Sequence, residues 1–84
     1  MRKLVDVDTE GLESLLGEDI MVWSLNYIYA GKLVGVNDTC IRLDDAKVVY
    51  ETGPLTSAGF QDAQALPHPA YIQLACIEMF TRSL

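Results

Sequence analysis

Basic residues are scarce in this 84-residue chain: 6 Lys and Arg stand against 12 Asp and Glu, a formal net charge of -6. Nucleic-acid affinity leans on phosphate neutralisation, so the composition announces no basic patch. Histidine is scarcer still. His68 is alone, and the two cysteines, Cys40 and Cys76, are far apart, so no C-x-x-C or H-x-x-x-H pair exists to hold zinc. Long apolar runs are also missing, which excludes a helical membrane span. Asp6, Asp8 and Glu10 interrupt the stretch after Arg2 and Lys3, so no secretory signal is expected and the expected location is cytoplasmic. Reduced, buried thiols then fit Cys40 and Cys76 better than a disulfide. Without a secretory route the Asn37, Asp38, Thr39 sequon reads as a turn.

What is present is a half-apolar chain long enough for one domain, spanning residues 1–84. A domain this small hides only about 60 to 65% of its unfolded surface, so oligomerisation is expected. Leu12, Leu15 and Leu16 are spaced for a short α-helix over about residues 9–16, with Asp8 or Thr9 as cap and Gly17 as stop. From Ile20 the period becomes two. Ile20 and Val22 point one way, while Met21, Trp23, Leu25, Tyr27 and Tyr29 point the other, so both faces of this strand need cover, from the helix or from a neighbouring subunit. Ala30 and Gly31 read as a turn, Gly35 as a bend or bulge, and Asn37, Asp38 as a hairpin. Cys40 to Leu43 and Ala46 to Glu51 read as β, broken by Asp44 and Asp45. Residues 52–70 hold all three prolines and read as a long insertion, with a helical turn or edge strand around Phe60 to Leu66. Tyr71 to Phe80 returns to β. Short strands with tight turns and a bend glycine favour a small, closed, mainly β barrel over a sandwich.

The run Gly31, Lys32, Leu33, Val34, Gly35, Val36, Asn37, followed by Ile41, Leu43 and Asp45, resembles the first motif of the Sm and Sm-like (LSm) proteins. Ile72, Ile77 and Phe80 fall on apolar positions of the second motif, and the likeness is to a divergent bacterial or viral type. The resemblance implies a short N-terminal α-helix and a five-stranded, strongly bent antiparallel Sm-like (SH3-like) barrel, with the insertion preceding the fourth strand. It also implies a homo-oligomeric ring of about five to seven copies, the fourth strand of one subunit pairing with the fifth of the next. Single-stranded RNA is the ligand implied. The family's asparagine after the first motif has no counterpart here, however, and Gln73 and Leu74 replace its arginine and glycine.

Two functional readings follow. The first is a ring with an RNA-binding or RNA-chaperone role and a degraded pocket, its candidate contacts being Asn37, Thr39 and Gln73. The second is a non-enzymatic assembly scaffold that meets protein partners through residues 52–70. Candidate subunit contacts are Tyr27, Tyr71, Ile72, Leu74, Met79 and Phe80, with Tyr27 and Tyr29 weighed as a subunit seam against a base-stacking platform. No membrane partner and no cofactor is expected, nor an enzyme. Ser57 sits in only half of a nucleophile elbow, His68 has no spaced carboxylate, and Asp44, Asp45 read as a strand-end turn.

Overall fold

The computed structural model describes residues 11–56 and 59–83. A 3-10 turn, Leu12–Leu15, leads into β1 (Asp19–Ser24), β2 (Ile28–Val36), β3 (Cys40–Glu51), β4 (Asp62–Ala65) and β5 (Ala70–Gln73). A second 3-10 turn, Leu74–Cys76, then delivers β6 (Ile77–Arg82). All six strands form one antiparallel sheet in the order β4-β3-β2-β1-β6, with β5 also on β3. The mainly β expectation is met, and within the described residues the expected α-helix is a single 3-10 turn. Gly11 precedes that turn with no side-chain cap, and the proposed caps Asp8 and Thr9 lie outside the described residues. Gly17, at φ 86°, ends the excursion as expected and donates its N–H to the Leu33 carbonyl at 2.7 Å.

The first reversal falls elsewhere than Ala30–Gly31. β1 stops at Ser24, whose N–H and hydroxyl both donate to the Tyr27 carbonyl, at 2.9 and 2.8 Å, and the chain turns through Leu25 and Asn26. Apolar alternation carries on through this turn, which is why one continuous strand was expected. Tyr29 accordingly pairs with Val22 and packs on the same core, not on the Met21 face. Ala30 and Gly31 lie inside β2.

β3 is a single bent strand rather than two. Asp45 takes φ 51° there, and the β2–β3 register slips between Ala30 and Lys32 and again between Leu33 and Gly35. The slips leave one extra residue first on β3 and then on β2, two bulges that coil the hairpin. Asp44 and Asp45 therefore occupy a bulge, not a strand end. Gly35 sits at the second bulge, as expected.

Within the 52–70 stretch, Asp62–Ala65 forms an edge strand of the sheet, as expected around Phe60 to Leu66, and Ala70 opens β5. The second half of β3 pairs with β4 (Lys47↔Ala65, Val49↔Ala63) and its first half with β5 (Cys40↔Gln73, Leu43↔Ala70). β4 and β5 thus behave as one strand interrupted at residues 66–69, where Pro67 and Pro69 cannot donate to a ladder. Leu66 keeps one bond, N–H to the Ala46 carbonyl at 2.8 Å.

Two apolar clusters hold the sheet. The larger joins Leu12, Ile20, Val22, Leu33, Ile41, Leu43, Ala46 and Ile72, flanked by Ile77 and Phe80, so all strands but β4 contribute to one interior. The smaller, on the other face of β1, comprises Met21, Ala30 and Val49, with Trp23, Phe60 and Ala63 packed on it. Both faces of β1 are indeed covered, but the cover on the Met21 side includes Phe60 and Ala63 of the supposed insertion. Trp23 is only half-buried here. We expect Trp23→Ala to cost about 1.5–3 kcal/mol, below the value for a fully enclosed aromatic, in urea unfolding at fixed protein concentration.

Candidate functional site

The β2–β3 turn and the end of β5 meet at one rim of the sheet. Cys40 pairs with Gln73, and the Leu74 N–H donates to the Thr39 carbonyl at 2.8 Å. Asn37, Thr39 and Gln73, far apart in sequence, are thereby brought to the same end. Asn37 holds the turn itself. Its Oδ1 accepts from the N–H groups of Thr39 and Cys40 at 2.8 and 2.9 Å and from the Thr39 hydroxyl at 3.1 Å. With that oxygen engaged, only its NH2 group remains to meet an outside ligand. Asn37→Ala is expected to cost about 1–2 kcal/mol through loss of these bonds, read as a lowered urea midpoint.

The electrostatics of the described residues offer little to phosphate. Arg42 pairs with Asp44 at 2.9 Å, and Arg82 with Glu18 at 3.0 Å. The hydrogen bond and then the charge of Asp44, with Tyr71 adding to them, push the exposed Arg42 above the ordinary guanidinium range. A hollow of about 650 Å³ between β4 and the bulge of β3 is lined by Asp19, Asp45 and Asp62 against Lys47 alone. Of the remaining basic residues, Lys32 is exposed on β2, and Arg2 and Lys3 lie outside the described residues.

The subunit-contact candidates divide sharply. Tyr71 is 62% exposed, Tyr27 53% and Met79 48%. Ile72, in contrast, is in the core, and Leu74 and Phe80 pack against it, so Ile72 presents no side chain to a neighbour. β5 pairs only with β3 and β6 only with β1, and among the described residues no ladder joins β5 to β6.

Near this gap, the β1–β2 turn and β5 flank a cleft of about 510 Å³ walled by Tyr27, Tyr29 and Tyr71. The rings of Tyr27 and Tyr29 are 6.2 Å apart and tilted by 51°, so they are not a stacked pair. Leu25 adds to the rim of the cleft at 67% exposure, and Tyr50, on the other side of the same turn, is 57% exposed. Sequence reading missed both; the signal available was the Ser24, Asn26 turn chemistry, which places Leu25 at a tip. Cys40 and Cys76 are free and half-buried rather than fully buried, and Cys76 borders the cleft. Ser57 lies outside the described residues, and His68 is exposed. Among the described residues, no helix is long and apolar enough to cross a membrane. Compared with known proteins, the chain matches no family model, no curated protein and no solved structure.

Proposed function

We propose that the chain is an Sm-like, ring-forming, non-enzymatic subunit that acts as a protein-interaction scaffold. The observation that carries this reading is that, among the described residues, β5 and β6 each pair on one side only. Unpaired strand edges are templates for strand addition, and a small domain gains from burying more apolar surface, here the exposed Met79. Matching edges on identical copies mate head to tail and close into a ring when the rotation permits.

A second reading, single-stranded RNA held at the rim, is favoured by the convergence of Asn37, Thr39 and Gln73. Charge weighs against it: repeating a subunit of net charge -6 multiplies the repulsion of phosphate. A fluorescence-polarisation titration at low salt with poly-U and poly-A separates the two. The scaffold reading expects no saturable binding at micromolar protein, and tight saturable binding that weakens as salt is raised would replace it with the RNA reading. Excising residues 55–66 is not a clean test of partner docking, because it removes β4 and the Phe60 that packs on Met21.

A further inference from the structure

We propose that the tyrosine cleft beside the β1–β2 turn docks a proline-rich peptide segment in extended, polyproline form, with a basic flank. The inference rests on the protein-interaction reading and names its partner. Three observations carry it. First, none of the residues lining the cleft bears a carboxylate, ammonium, guanidinium or imidazole, in a chain with 18 formally charged residues. A charged ligand group seated there would lose hydration without gaining a partner, so the seated part is neutral. The flank reaching solvent meets the field of a protein of net charge -6, which favours lysine or arginine.

Second, a smaller uncharged cleft of about 360 Å³ lies against the other side of the same turn, floored by Ile28, Val49 and Tyr50. Tyr27 and Leu25 border both. Two shallow pockets sharing one aromatic wall suit an elongated ligand that repeats an apolar group, as a polyproline helix does every three residues.

Third, the cleft is rich in unspent donors. Among the described residues, neither the hydroxyls of Tyr27, Tyr29 and Tyr71 nor the carboxamides of Asn26 and Gln73 donate a hydrogen bond within the protein. Proline-rich chain supplies carbonyl acceptors, so it complements these side-chain donors. Its conformation is also largely set before binding, which lowers the entropy lost on docking.

The test is an amide NMR titration of the full chain with an oligoproline peptide carrying two N-terminal arginines, beside a control in which glycine replaces each proline. The expected result is saturable shifts confined to residues 24–29, 49–50 and 70–76 with the proline peptide alone. Tyr27→Ala should weaken binding at least about tenfold and Tyr27→Phe less, with the urea midpoint of each variant reporting that it folds. Should Tyr27→Ala fail to fold, the exposed Tyr50→Ala serves in its place. Absent shifts, equal binding of the glycine peptide, or binding indifferent to these variants would overturn the proposal. Shifts at the same amides on adding poly-U, or on concentrating the protein alone, would also overturn it, assigning the cleft to RNA or to a second copy. A failed titration on protein whose solution mass is that of an assembly removes this inference and leaves the ring standing.

Discussion

Gly31→Ala is expected to destabilise the fold by about 2–3 kcal/mol, although it adds a single methyl group. A Cβ at this position would stand 2.9 Å from the Asp44 carbonyl oxygen, 3.0 Å from the Leu43 Cβ and 3.2 Å from the Ala46 Cα. Two of these are backbone atoms of the neighbouring strand. They can yield only if β2 and β3 separate at the bulge, where Asp45 already sits at φ 51°. The companion Gly35→Ala should be near neutral, or stabilising by up to about 0.5–1 kcal/mol, because its Cβ would meet only the Arg42 Cβ at 3.8 Å and the alanine restricts the unfolded chain. Urea unfolding of both variants checks the pair. Equal losses would mean that the close approach of the two strands is not at Gly31.

Leu43→Ala is expected to cost about 3–4 kcal/mol. Leu43 is fully buried and faces Leu33 on β2 and Ala70 on β5, so it stands where the bent hairpin and the returning strand close over one interior. The rigid ladders on both sides limit collapse of the cavity, which lifts the cost above the lower end of the usual range. A domain of this length has on the order of 4–12 kcal/mol of stability in all. The variant should therefore unfold at markedly lower urea, or be only partly folded, whereas the exposed Leu25→Ala at the β1–β2 tip should shift little. If assembly contributes to stability, midpoints rise with protein concentration, so the comparison is made at one concentration.

The parts of the fold that sequence made legible were those where local chemistry acts alone. Asn37 and Asp38 mark their turn because the Asn37 side chain itself bonds the next backbone N–H groups. The period-two rows of Ile20, Val22 and Ile41, Leu43 mark core-facing strands for the same reason. Where tertiary contact decides, the pattern misled. The β1–β2 reversal is hidden because its tip carries Leu25 and Tyr27 in step with the strand alternation. Asp44 and Asp45 look like a terminus but are a bulge, accommodated by Gly31 across the hairpin. The proline-rich stretch reads as an insertion with an edge strand around Phe60 to Leu66, and β4 is that strand, but its pairing with β3 and the packing of Phe60 on the Met21 cluster come only with long-range closure.

The candidate site follows the same division. Asn37, Thr39 and Gln73 stand together as candidates in the sequence only through the family resemblance, and their meeting at one rim is a product of β3–β5 pairing that no local signal encodes. Ile72 was placed at a seam by its motif position, while alternation along β5 turns it inward and Tyr71 outward. The tyrosine cleft needs both ends of the chain folded together, so only its individual rings were visible in advance.

Sedimentation equilibrium of the intact protein addresses most directly whether the free sides of β5 and β6 join copies. For a subunit of 9.3 kDa, the account predicts a single species of about five to seven times that mass, stable to dilution into the micromolar range. A mass of one subunit persisting at high concentration would contradict it.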